Sequence, residues 1–266
     1  MLFRSILGCS GSIGGQQHRT TSFLVDQDIL IDAGTGVGEL SLPELALIDH
    51  VFVTHSHLDH VDSIAFILDS VGALRPKPLT VHATAPTIEI LKKNLFNWDI
   101  WPDFTVIPTA QEPFMQYAEI AVGNVIDIGR GRTITALPAN HTVPAVGYAV
   151  TAGNGCWVFT GDTERHPAFW RRLNQMHVAA LVIETAFSNR EKELAKRSLH
   201  LSPMSLAEEL DCIDKSKSFP IFITHTKPAE TELIMAEIQK FDQTQPFGPN
   251  VTHDIRWLRA GQEFEL

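Results

Sequence analysis

Residues 55 to 60 read His55-Ser56-His57-Leu58-Asp59-His60, an H-x-H-x-D-H string that gathers three imidazoles and a carboxylate into one short stretch. Imidazole nitrogens with a carboxylate oxygen suit Zn²⁺, Mn²⁺ or Fe²⁺ better than they suit Ca²⁺. The run before it, Val51-Phe52-Val53-Thr54, is apolar and β-branched as a buried strand is, and from Asp59 onward apolar residues recur at helical spacing. The string therefore lies in a strand-to-helix loop, where a tight turn can aim four ligating side chains inward.

Other chemistry-bearing residues also stand directly after apolar runs. Asp32 follows Ile29-Leu30-Ile31, Asp162 follows Trp157-Val158-Phe159-Thr160-Gly161, and His225 follows Ile221-Phe222-Ile223-Thr224. His141 comes just past the strand-like Thr133 to Leu137. Each is a ligating or supporting type at the mouth of a sheet. Glu184 ends Leu181-Val182-Ile183, and His200 precedes a helix with Ser202 as N-cap and Pro203 at its first position. A carboxylate holding an imidazolium makes a competent general acid, able to give a proton to a departing oxygen. No G-x-S-x-G elbow is present, and Ser56, Ser63 and Ser202 show no separate sign of being nucleophiles.

Two more segments bear on binding. Asn94 to Phe104 is rich in aromatics; Trp98 and Trp101 can stack on a base, and Asn97 and Asp99 can meet a base edge, although the same rings would also serve as a lid or a dimer contact. The glycine-rich Gly8 to Gly15 lacks the lysine of a P-loop and reads as a turn beside the site. Histidines 18, 50, 82, 166, 177 and 253 lack strand-end context and read as structural or solvated.

The ordered set resembles the metallo-β-lactamase fold superfamily: an Asp after a strand, H-x-H-x-D-H, a later His, an Asp and a final His, spanning residues 32 to 225. The resemblance implies an α/β fold, an αββα sandwich of two mixed β-sheets flanked by helices. It assigns His55, His57 and His141 to one metal ion, Asp59, His60 and His225 to a second, Asp162 to both, and Asp32 to orienting the loop. Two divalent cations are thus implied, zinc first, with manganese or iron also accepted. Such a pair, about 3.5 to 4 Å apart, can hold a bridging hydroxide and neutralise charge on a phosphoryl oxygen. Asp59, His200 and Glu184 form the implied catalytic set.

Asn94 to Phe104, Ile183 to Asn189 and Thr224 to Pro228, together with the H-x-H-x-D-H string, are similar to the class II 3′,5′-cyclic nucleotide phosphodiesterases over nearly the whole chain. Ala65-Phe66 departs from that family's run after the string. The implied reaction is hydrolysis of cyclic AMP or cyclic GMP to the 5′-monophosphate. An RNA 3′-end nuclease of the same superfamily is the alternative, and it would bring a basic arm for transfer RNA that the sequence does not display. A noncatalytic nucleotide sensor is a third reading, which has no need of so complete a ligand set.

The elements that must position these residues are legible as short runs. Strands are expected at Ser22–Val25, Ile29–Asp32, Val51–Val53, Leu79–His82, Ile134–Leu137, Val146–Val150, Trp157–Phe159, Leu181–Ile183 and Ile221–Ile223, with a first strand near the N-terminus. Helices are expected at Asp59–Val71, Pro86–Leu95, Pro167–Asn174, Arg190–Ser198, Pro203–Asp214 and Ala229–Lys240. No linker divides the 266 residues, so a single domain over residues 1–266 is expected, and 44% apolar residues supply a sizeable core. A net charge of −10 disfavours a protein that grips long nucleic acid through its phosphates and favours small substrates. Cys9, Cys156 and Cys212 read as buried fillers in a reduced compartment. A cytoplasmic protein without a membrane span is expected, and the resemblance with the aromatic segment points to a homodimer.

Overall fold

The computed structural model describes residues 2–3, 5–15, 17–153, 155–244 and 253–265. The chain falls into two compact units, the first Met1–Cys9, Gly15–Ala121 and Arg259–Glu265, the second Ser10–Gly14, Val122–Leu258 and Leu266.

In chain order the first unit holds β1 (Leu2–Phe3), β2 (Ser5–Gly8), β3 (Ser22–Val25), β4 (Ile29–Ile31), α1 (Leu42–Leu47), β5 (His50–Phe52), α2 (Leu58–Val71), β6 (Leu79–Thr84), α3 (Ala85–Asn94) and β7 (Met115–Ile120). The second holds β8 (Val125–Asp127), β9 (Thr133–Pro138), β10 (Val146–Ala152), β11 (Gly155–Phe159), α4 (Pro167–Leu173), β12 (Val178–Glu184), α5 (Lys192–Arg197), α6 (Pro203–Leu210), β13 (Ile221–Thr224), α7 (Thr231–Thr244) and β14 (Ile255–Trp257). The last strand, β15 (Phe264–Glu265), pairs with β1 in the first unit.

Each unit is built on one mixed sheet. The six-stranded sheet runs β2-β3-β4-β5-β6-β7, antiparallel as far as β4 and parallel from there. The seven-stranded sheet runs β14-β13-β12-β11-β10-β9-β8, parallel through β11 and antiparallel beyond. Two mixed sheets flanked by helices are the expected fold class.

Period-2 strands and period-3.6 helices explain the packing. In the first unit Val51, Val53, Val81 and Ala83 point to one face, where they share a core with Val61, Ile64, Ala65 and Leu68 of α2 and Ile88 and Leu91 of α3. The helix positions are spaced i, i+3, i+4, i+7, one stripe of an amphipathic helix. Ile64 is fully buried; truncating it to Ala would cost about 2–5 kcal/mol through lost burial and the cavity left behind. In the second unit Val158, Leu181, Ile183, Ile221 and Ile223 pack with Phe169 and Trp170 of α4, Leu206 and Leu210 of α6, and Ile234 and Ile238 of α7.

The expected strands appear, most within a residue or two of their bounds. The segment expected as one helix over Arg190–Ser198 begins as a 3-10 turn at Asn189–Glu191 before α5. Expectation and structure part at the cysteines: Cys156 is buried, but Cys9 is half-buried and Cys212 is exposed, because it lies just past the end of α6 on the solvent side. Among the described residues no helix is long and apolar enough to cross a membrane.

Candidate metal centre

Parallel strands bring their C-terminal ends to the same edge of a sheet, and the residues that follow them carry the chemistry here. In the first unit Asp32 leaves β4, and the H-x-H-x-D-H string leaves β5 to open α2, with His57 in the N-cap position. Asp32 is fully buried in a left-handed backbone conformation, φ +56°. Its carboxylate accepts from the Thr54 N–H at 2.7 Å, the Thr54 hydroxyl at 2.8 Å and His60 Nδ1 at 2.7 Å. Burial pushes this carboxyl above the usual range, and the His60 imidazole and the Thr54 bonds pull it back. Close packing fixes the loop further. Gly34 sits so near the backbone that a Cβ there would lie 2.2 Å from the Asp59 carbonyl oxygen.

The histidine rings of the string gather into one cluster. His55 lies 4.7 Å from His57 and 4.2 Å from His60, centroid to centroid. His55 Nδ1 meets the Thr54 hydroxyl at 3.0 Å, and that hydroxyl in turn donates to Asp32. Ligand atoms of His55 and His57, of His55 and His60, and of Asp59 and His60 lie within 4.8 Å of each other.

In the second unit His141 follows β9, Asp162 follows β11, Glu184 ends β12 and His225 follows β13. His141, Asp162 and His200 each offer a ligand atom, all within 4.8 Å of one another. His225 Nε2 is 3.2 Å from Asp162 Oδ2, and its ring stacks on His200 at 5.4 Å. His141 Nδ1 donates to the Leu199 carbonyl at 3.0 Å, from a Leu199 whose φ is +53°.

His200 and Glu184 are a buried pair, Nδ1 to Oε1 2.8 Å. The fully buried Glu184 also accepts the Thr163 N–H on Oε1, and the Ala186 and Leu201 N–H groups on Oε2. Burial pulls the His200 imidazole down, but the Glu184 carboxylate, with Asp162 behind it, outweighs burial and holds the ring above its ordinary value. Burial pushes the Glu184 carboxyl up.

The aromatic segment forms a fixed turn after α3. Asn97 Oδ1 accepts the N–H groups of Asp99 and Ile100, and its Nδ2 donates to the Lys93 carbonyl, so the Asn97 amide shapes the turn. Trp98 stands on it at φ +69°, 63% exposed, whereas Trp101 packs edge-on against Phe66 at 5.5 Å. Thr54, Thr163 and Leu199 serve the site but have no chemical signature of their own; only their neighbours in sequence could have drawn attention to them.

The sequence signature of the family described as "Beta-lactamase superfamily domain" matches residues 27–223. The chain belongs to this superfamily. Among relatives it is 26% identical over 223 residues to a "Probable 3',5'-cyclic-nucleotide phosphodiesterase" of Yersinia pestis, covering 73% of this chain and 63% of that protein. It is 29% identical over 149 residues to a "Ribonuclease Z" of Bradyrhizobium diazoefficiens, covering 53% of this chain and 46% of that one. The chain thus spans only about half to under two thirds of the length of these relatives. Unliganded yeast PDE1 shares the fold at a TM-score of 0.78 and 19% identity, with 97% of this chain and 96% of that one covered.

The metallo-β-lactamase fold implies divalent metal ions, and the donors of each unit fit them. The two units supply imidazole nitrogen and carboxylate oxygen, the set that zinc, manganese and iron accept. The second layer fits as well: His55, His60, His141 and His200 all engage a partner through Nδ1, the arrangement that turns Nε2 outward as the ligating or proton-carrying atom.

Proposed function

We propose that this protein is a metal-dependent hydrolase that opens 3′,5′-cyclic nucleotides to 5′-monophosphates. The observation that carries the reading is the buried His200–Glu184 pair at 2.8 Å, a proton donor held beside the donor group of Asp162 and His141. The relative named as a cyclic-nucleotide phosphodiesterase supports the substrate class. In this reading His55, His57 and His141 hold one cation, Asp59, His60 and His225 the second, and Asp162 contributes to both.

When bound, the cations supply a water-derived nucleophile at neutral pH and neutralise charge on the phosphoryl oxygens. The chain's own residues do the rest. His200, kept protonated by Glu184, gives its Nε2 proton to the departing 3′ oxygen, so that the phosphate stays on the 5′ oxygen. Asp32 holds His60 through Nδ1 and keeps the H-x-H-x-D-H loop in register with β4. Trp98 offers an exposed ring face to the base. Cytoplasmic residence and a homodimer belong to the same reading; sedimentation velocity reads the oligomeric state directly.

The test is chromatography of 3′,5′-cyclic AMP incubated with Mn²⁺- or Zn²⁺-loaded protein beside an Asp59→Ala control, resolving 5′-AMP from 3′-AMP. The expected result is 5′-AMP alone, lost in a control that retains its circular dichroism spectrum. Absence of product from folded, metal-loaded protein, with cyclic GMP equally inert, would overturn the proposal, and cleavage of a transfer RNA precursor would then place the protein with the ribonuclease Z relatives.

A further inference from the structure

We propose that Gly11 and Lys227 form a clamp that sets the orientation of the His225 imidazole and thereby tightens the binding of one divalent cation. The proposal rests on His225 being a metal ligand, as in the reading above.

His225 leaves β13 with φ +61°, the left-handed region that a residue with a Cβ enters only at a cost in strain. Such a conformation persists only where the surroundings over-determine it. The tethers come from the far end of the sequence. Gly11 N–H donates to the Thr226 carbonyl at 3.0 Å, and the Ser10 hydroxyl donates to the same oxygen at 3.4 Å. Lys227 Nζ returns the connection by donating to the Gly11 carbonyl at 2.6 Å. Gly11 and the residues just after His225 are therefore joined in both directions. The Lys227 backbone is itself anchored, its N–H donating to the Ala186 carbonyl at 3.2 Å, and its ammonium lies 5.8 Å from the Phe187 ring.

The clamp passes close to His225. A Cβ on Gly11 would lie 2.3 Å from the His225 carbonyl oxygen and 3.0 Å from His225 Cδ2. Cδ2 is the ring carbon bonded to Nε2, so a side chain at position 11 would crowd the ring edge next to Nε2, the atom that approaches Asp162 at 3.2 Å. A side chain at position 11 would force Gly11 or His225 to move.

The role of Lys227 is geometric and not a matter of its charge. An ammonium near a cation site repels the cation, so removing it for charge alone would strengthen metal binding. Removing a clamp would weaken it. The sign of the change separates the two.

The experiment measures divalent cation affinity by competition with a chromogenic chelator on full-length Gly11→Ala, Lys227→Met, Lys227→Arg and His225→Ala proteins, with Co²⁺ absorption as the spectroscopic readout. Expected are loss of one cation in His225→Ala and a 10- to 100-fold weaker cation in Lys227→Met, the range for partners that orient a metal ligand. The Co²⁺ band should move, the metal-free protein should remain folded by circular dichroism, and Lys227→Arg, which can still donate to the Gly11 carbonyl, should recover most of the affinity. Gly11→Ala tests the clamp from its other end; if it does not fold, the lysine variants still decide. Unchanged or tighter binding in Lys227→Met, with one cation lost in His225→Ala, would overturn the clamp alone. Both cations bound at full affinity by His225→Ala would overturn the assignment of His225 as a ligand and the clamp with it.

Discussion

A histidine binds a metal through whichever ring nitrogen its other partner leaves open, and here the partner sits on Nδ1 at His55, His60, His141 and His200. The partners differ in strength. His60 has the charged Asp32, and a charge-assisted bond is roughly twice as strong as a neutral one. Asp32→Asn should therefore weaken cation binding about 10- to 100-fold by chelator competition while the secondary structure survives. His200→Gln should lower kcat about 10²- to 10⁴-fold, the usual contribution of a general acid. Its metal content should stay at the unmodified protein's level; loss of a cation would mark His200 as a ligand instead. The ligand types are visible in the sequence because three imidazoles and a carboxylate packed into H-x-H-x-D-H after a strand serve metal ligation and little else. The partners are not, since Thr54, Leu199 and Lys227 become informative only through bonds to residues placed beside them by folding.

At the scale of elements, strand ends do the positioning and helices are locked to them by polar as well as apolar contacts. Glu209 on α6 is buried, and its carboxylate accepts from Trp170 Nε1 of α4 at 2.5 Å and from the His166 N–H at 3.0 Å. Glu209→Ala would leave both donors without their acceptor, and stability should fall by about 2–4 kcal/mol in urea unfolding. Metal content and kcat should not change. The strongly periodic elements, such as α2 and the apolar β12 and β13, are legible because burial imposes a period on the sequence. The edge strands β7, β8 and β14 are not: Met115-Gln116-Tyr117-Ala118-Glu119-Ile120 alternates weakly because an edge strand is half solvated. Helix α1 is a single short piece, announced only by Ser41 and Glu44 in capping-box spacing.

For the whole molecule, a histidine away from the metal centre governs part of the acid stability. The His82 ring stacks flat on Phe52 at 4.1 Å, and burial, with His50 beside it, pushes its pKa down to about 4. Between pH 6.5 and 4 the unfolded chain takes up a proton that the folded His82 refuses, so stability is full above about pH 6.5 and is lost as the pH falls. The loss at pH 5 is about 2 kcal/mol at most. His82→Gln should remove that part of the acid sensitivity, read as a smaller difference between unfolding midpoints at pH 7.5 and pH 5. The sequence by itself determined the ligand types, their order along the chain and the mixed α/β class, because metal chemistry restricts residue identity and burial restricts hydrophobic period. Tertiary structure alone decided that Asp32 meets His60, that Glu184 meets His200, that the Asn97 amide is used up in its own turn, and that Gly11 reaches His225. Those meetings depend on sheet register and close backbone approach, which no local run of residues encodes.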